Sequence, residues 1–429
     1  MLEDVKITKL DNGACVATSA MKDTNVCHLG FHIPMGSRRE KASEAGWSHF
    51  AEHMILRGSK KYPSQKIINR IMGRFGGINN AETSALWTRF YAHVPAYGTM
   101  KTIDILGDAI AHPLFAQPDI EIERKAILEE IRMDADDPSD RLSRLSREAL
   151  WPEHPLSKPV IGTPESIASI DEKSLKAFHR ARYTSRGAMF IAAGKVDHDE
   201  IVERVRPVFD GLPDTPATRY RRASPEWPIK PVAIEHCDES GATFVISFRG
   251  VTDSDSRKYV LVLLTSILGG DSNSRLFRSV RERHGLAYSV GADFSVGVDQ
   301  GVICVSASVS PNSIEKALAL CGHELKALAR KPVGKRELSF QRERFASIAI
   351  IGDEADCEGE YYILKECLEK HNKIERIDEK EKRIRSISAC ELQSLSAEIF
   401  RPENCSLALR LPRNCKVSPE KLREALFNG

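Results

Sequence analysis

The sequence predicts an α+β protein made of two homologous halves, each an antiparallel-rich sheet with helices packed on it. Three observations carry this. Within each half short strands come first and long helices follow, an order that favours segregated layers over a doubly wound sheet. From Leu212 to Pro231 runs LPDTPATRYRRASPEWPIKP, with five prolines and few aliphatics, a composition that stiffens a connection and opposes regular structure. The stretches on either side of it end alike. The segment from Ser169 (SIDEKSLKAFHRARYTSRGAMFIAAGKVDHDEIVERVRPVF) and that from Ser386 (SISACELQSLSAEIFRPENCSLALRLPRNCKVSPEKLREALF) each show an amphipathic helix, an apolar strand and a second helix. Leu175 then matches Leu392, Tyr183 matches Phe400 and Phe209 matches Phe427. A duplicated unit follows, with halves at 1–212 and 232–429 and a linker at 213–231.

In the first half, Val5–Leu10, Ala14–Ser19 and Asn25–Pro34 have strand character, and Asp11-Asn12-Gly13 supplies a hairpin turn. Helical periodicity covers Ser43–Leu56, Ser64–Arg74, Thr99–Ala111 and Asp119–Met133. Gly58 suits the C-cap of the first of these, and Asp119, after Pro118, the N-cap of the last.

The bulk numbers exclude more than they assign. At 429 residues, two or more domains are expected. Sixty-two basic groups nearly balance 60 acidic ones, for a net charge of +2, so no clustered basic excess points to nucleic acid or a membrane surface. The start, Met-Leu-Glu-Asp-Val-Lys, has acids where a targeting peptide needs bases, and no apolar stretch approaches a membrane span. The ten cysteines form no Cys-x-x-Cys pair. Together these lead us to expect a cytoplasmic protein with reduced, mostly buried thiols.

The chemistry lies in Ala45-Gly-Trp-Ser-His49-Phe-Ala-Glu52-His53. On a helix, His49 and His53 lie on one face a turn apart and can take two corners of a tetrahedral zinc site. Glu52 borders that face and can reach a metal-bound water without being a ligand. A catalytic zinc needs a third protein ligand and an open position. The acid-rich helix after Asp119 presents Glu123 and Glu130 on a common face, while Glu129 is turned roughly 100 degrees away. A histidine pair at this spacing and a glutamate-rich helix are each ordinary surface features when met alone; their combination is not.

His-x-x-Glu-His is the inverzincin signature, and the chain resembles the pitrilysin family, which includes insulin-degrading enzyme and the mitochondrial processing peptidase. The likeness extends to Gly58-Ser59 and to Glu123-Arg-Lys-Ala-Ile-Leu-Glu-Glu130. It continues in Phe75-Gly76-Gly77 followed by Asn80-Ala81-Glu82-Thr83-Ser84, in Leu150-Trp-Pro-Glu-His-Pro-Leu, and in Gly162-Thr-Pro-Glu-Ser-Ile. In the second half it includes Ser274-Arg-Leu-Phe and Arg281-Glu-Arg-His-Gly-Leu-Ala-Tyr288. Trp47-Ser48 departs from the smaller residues usual before the first histidine.

The resemblance implies a zinc metalloendopeptidase with one zinc per chain on His49, His53 and Glu130. Glu52 would be the general base and Glu123 the supporting carboxylate. It further implies that Arg281 and Tyr288 hold the substrate carbonyl, and that Asn80–Ser84 pairs with an extended peptide as an added strand. Read without the family, Arg281 is an exposed arginine, Tyr288 a strand tyrosine and Asn80–Ser84 a capped edge. Short members of the family pair into chambers, so a homodimer is expected, or a heterodimer with a related subunit. The competing readings are a catalytically inert processing or scaffold subunit and a zinc-binding module without catalysis. The first is disfavoured by the intact ligands and base. The second leaves Glu52 without a role.

Overall fold

The computed structural model describes residues 4–352, 356–370, 375 and 377–428. The first half contributes β1 (Val5–Lys9), β2 (Cys15–Ala20), β3 (Val26–Ile33), β4 (Ile78–Thr83), β5 (Thr88–Pro95) and β6 (Met189–Gly194). Its helices are α1 (Trp47–Ile55), α2 (Gln65–Arg74), α3 (Thr99–Ala111), α4 (Gln117–Asp136), α5 (Pro138–Leu150), α6 (Pro164–Ala168), α7 (Glu172–Arg182) and α8 (His198–Asp210). The second half contributes β7 (Val232–Cys237), β8 (Ala242–Arg249), β9 (Ala287–Val296), β10 (Gly301–Val309) and β11 (Cys405–Pro412). With them come α9 (Lys258–Gly269), α10 (Ile314–Arg330), α11 (Lys335–Gly352), α12 (Cys357–Lys370), α13 (Ile377–Ser386), α14 (Ala389–Ile399) and α15 (Pro419–Asn428).

The α+β class and the two-half organisation are as the sequence predicts. One sheet runs β1-β2-β6-β3-β5-β4 and the other β7-β11-β8-β10-β9. Apart from β1, the two orders correspond strand for strand. In each, the last strand in sequence is inserted parallel to one neighbour (β6 to β2, β11 to β7) and antiparallel to the other. The matched terminal segments fall where expected, as α7-β6-α8 and α14-β11-α15, with Leu175 and Leu392 both fully buried.

Two compact units form, and they do not follow chain order. One comprises Met1–Asp136, Lys158–Arg221 and Asp353–Glu369; the other comprises Asp137–Ser157, Arg222–Gly352 and Lys370–Gly429. Relative to a cut at the linker, α5 joins the second-half sheet and α12 joins the first-half sheet. The reason is coverage: the helices of a half fill one face of its sheet, and the other face must also be buried.

In the first unit the period of β3 makes this visible. Cys27, Leu29, Phe31 and Ile33 enter the core, while His28, Gly30 and His32 alternate toward α12. A Cβ on Gly30 would fall 2.3 Å from the Tyr361 hydroxyl, so glycine is what lets α12 lie close. Tyr361 bonds to His32 Nε2 (2.8 Å), and His32 Nδ1 bonds to Glu369 (2.7 Å). Arg89 donates to both Glu369 oxygens, at 2.7 and 2.6 Å.

None of the ten cysteines, all among the described residues, forms a disulfide, and six of them are buried. No described helix is long and apolar enough to cross a membrane.

Candidate metal centre

The metal helix α1 is shorter than its periodicity suggests. It starts at Trp47, after a separate 3-10 turn at Ala42–Glu44, because Gly46 sits at φ +83° and breaks the helical path. That conformation, and an approach that would put a Cβ 2.4 Å from the Ile161 carbonyl, require glycine. The N–H groups exposed at the helix start are met by the half-buried Glu40, whose carboxylate accepts from Gly46 N (2.9 Å) and Ser48 N (2.7 Å). Burial pushes the Glu40 carboxyl up to about 7, against the pull of those donors. No sequence motif announces Glu40, which stands six to eight residues from the atoms it caps.

The helix ends at Ile55 with Leu56 as its C-cap, so Gly58 is not the cap; it instead passes close to the Pro63 backbone. Asp119 is likewise not a cap, since α4 already begins at Gln117.

Phe50, Ala51, Met54 and Ile55 anchor α1 in the core, which aims the stripe of His49, Glu52 and His53 at α4. The imidazoles lie edge to face with centroids 4.6 Å apart. Glu130 Oε1 is 3.9 Å from His49 Nε2, and its Oε2 is 3.8 Å from His53 Nε2. The three ligand atoms all lie within 4.8 Å of one another. In a tetrahedron of ~2.1 Å bonds the donors stand about 3.4 Å apart, so the set fits zinc after small side-chain rotations. Glu129 faces away and pairs with Arg132 at 3.0 Å.

Two further carboxylates flank the cluster. Glu123, 5% exposed, accepts from His53 Nδ1 (2.9 Å) and is also paired with Arg57. A proton held at Nδ1 leaves the Nε2 lone pair directed toward Glu130. Burial, then the neighbouring His53, lowers His49 to about 4, so it is a neutral donor near pH 7. Glu52 is buried and accepts from the Thr83 hydroxyl (2.7 Å). Burial raises its carboxyl, and the Thr83 bond and His53 oppose the rise. Thr83 as the partner of Glu52 is not apparent from the sequence, because the contact joins a strand to a helix 31 residues earlier.

Thr83 ends β4, the edge strand of its sheet. Asn80 to Thr83 register against Tyr91 to Thr88 of β5, and Ser84 lies just beyond, in the turn, bonded to Trp87. Glu82 pairs with Arg89 at 2.7 Å, and the Ala81 N–H donates to Asn80 Oδ1 at 2.9 Å.

Arg281 and Tyr288 belong to the other unit. Arg281 lies on a π-helical turn, Phe277–Arg283, a geometry not evident in the sequence and frequent at functional sites. The chain turns into strand at Ala287, and Tyr288 stands 85% exposed with the Arg281 guanidinium 5.9 Å from its ring centre.

Comparison with known proteins gives a consistent picture. A family profile described as insulinase (peptidase family M16) matches residues 15–164, and one described as the peptidase M16 inactive domain matches residues 169–345. An uncharacterized zinc protease of Mycobacterium leprae is 30% identical over 353 residues, 80% of this chain and 78% of the relative. One from Rickettsia bellii is 30% identical over 348 residues, 81% and 83% of the two chains. A protease from Helicobacter pylori shares the fold with a TM-score of 0.85 at 19% identity, over 95% of this chain and 100% of that one. An M16 inactive-domain protein from Pseudomonas fluorescens gives 0.87 at 16% identity, over 96% and 99%.

Proposed function

Because the chain belongs to the M16 peptidase family, we propose that it is a zinc endopeptidase acting on extended peptides or unfolded segments. The observation that carries this is the convergence of His49, His53 and Glu130 with Glu52 beside them. Those three residues would hold one zinc ion, and Glu123 would keep His53 in the tautomer that ligation needs. A zinc ion there supplies a Lewis acid that polarises the scissile carbonyl and acidifies a water.

The chain's own groups do the remaining work. Glu52, its carboxylate oriented by Thr83, removes the water's proton and returns it to the leaving amine. Burial suits it to the first step, since a carboxylate of raised pKa is a better proton acceptor. Asn80–Ser84 on the edge of the sheet offers backbone donors and acceptors to an added substrate strand, a mode that makes little demand on sequence. For this Asn80 must release the Ala81 N–H that it now occupies. Arg281 and Tyr288 are assigned, on the family resemblance, to holding the substrate carbonyl. We place the enzyme in the cytoplasm as a homodimer.

The test is zinc content alongside cleavage of an internally quenched peptide. The wild-type chain should lose activity on chelation and regain it with zinc, and His53→Ala should have neither metal at this centre nor turnover. An inert subunit would cleave nothing at any zinc level.

A further inference from the structure

On the α12-covered face of the first unit's sheet lies a second group of metal-ligating side chains that the peptidase reading does not use. His28 of β3 and His93 of β5 are direct cross-strand partners, their rings nearly perpendicular with centroids 5.6 Å apart. Glu358, in the first turn of α12, reaches over them. One ligand atom from each of the three lies within 4.8 Å of the others.

His28 supplies the independent observation. It is 2% exposed, yet neither ring nitrogen has a hydrogen-bond partner among the described residues. Its neighbour on the same face, His32, has both nitrogens bonded. A buried imidazole left wholly unpaired is costly, and native structures rarely tolerate one. Tyr91 and Tyr361 pack against the ring without bonding it. Burial, then His93, lowers His28 to about 4, so it is the neutral donor a metal needs. Asp356 adds negative charge nearby and Lys365 opposes it.

We propose that His28, His93 and Glu358 bind a second zinc-class divalent ion, which ties α12 to the sheet beneath it. Two imidazoles and a carboxylate are the donor set such ions prefer, with water completing the shell. His28 is fixed, while the half-buried His93 and exposed Glu358 can rotate to close the remaining distance. The role is structural: Glu358 belongs to the second half of the chain and both histidines to the first. The inference is independent of the peptidase reading.

The experiment is zinc stoichiometry of the full chain after dialysis against micromolar zinc, with circular dichroism to verify folding. His49→Ala/His53→Ala, which empties the peptidase centre, should retain one zinc per chain. Adding His93→Asn or Glu358→Gln, both at accessible positions, should weaken that remaining zinc by more than about tenfold. Zinc should also raise the melting temperature of the double variant and not of the triple ones. Folded double variant that takes up no zinc, or an affinity unmoved by both His93→Asn and Glu358→Gln, would overturn the proposal.

Discussion

α1 and α9 occupy the same station in the two halves, each being the first α-helix after the strand that pairs antiparallel with the inserted one. α1 reads WSHFAEHMI and points His49, Glu52 and His53 at acids on α4. α9 reads KYVLVLLTSILG and buries Val260, Leu261, Leu263, Leu264, Ile267 and Leu268. Strand order, register type and the surrounding helices are alike, so the fold does not create the candidate metal centre. The centre is a set of side chains placed on a scaffold that works equally well without them. The half that lacks them is free to spend the same helix on packing.

Substitutions in the two helices separate metal binding from packing. The largest expected effect is loss of both the centre's zinc and turnover in His53→Ala, with little change in melting temperature measured in the absence of metal. In α9, Leu264→Ala should do the reverse, costing about 2–5 kcal/mol of stability through the cavity it leaves. Chemical denaturation and metal analysis would report the two separately. Glu123→Gln, which removes only the orienting carboxylate, should weaken zinc about 10–100-fold, as read by competition with a chelator.

A smaller effect concerns how α12 is held. Burial raises the Glu369 carboxyl, but hydrogen bonds and charge from His32 and Arg89 outweigh it and bring it to about 2. Burial keeps His32 itself on the neutral side near pH 7, so Arg89 carries most of the attraction there. Because this pKa lies below the unfolded value of about 4.3, the pair stabilises fully above that value and is lost as pH falls toward 2. Glu369→Gln should flatten the acid limb of a stability profile over that window. Least of all, Ala81→Pro removes one edge donor and should raise KM severalfold while zinc content stays unchanged.

Much of this was legible in the sequence where local pattern decides structure. Thr99–Ala111 forms the helix its periodicity predicts, the β1–β2 hairpin turns at Asp11-Asn12-Gly13, and the repeated ends form matching helix-strand-helix segments. The face shared by Glu123 and Glu130 follows from helical spacing, and the exposure of Glu129 agrees with it. What stayed hidden depends on contacts distant in sequence. Helices α5 and α12 are ordinary amphipathic segments, and nothing local says that each covers the other half's sheet. Glu40 caps α1 across a loop, and Thr83 reaches Glu52 only once β4 has paired. The assignment of Arg281 and Tyr288 came from family resemblance, since an exposed arginine and tyrosine carry no spacing signal of their own.

The central claim is that Glu52 moves the proton while His49, His53 and Glu130 hold the metal. It is tested most directly by measuring zinc content and peptide turnover together in Glu52→Gln. Wild-type zinc with turnover reduced about 10²–10⁴-fold is expected. A folded, zinc-loaded Glu52→Gln chain with wild-type turnover would contradict it.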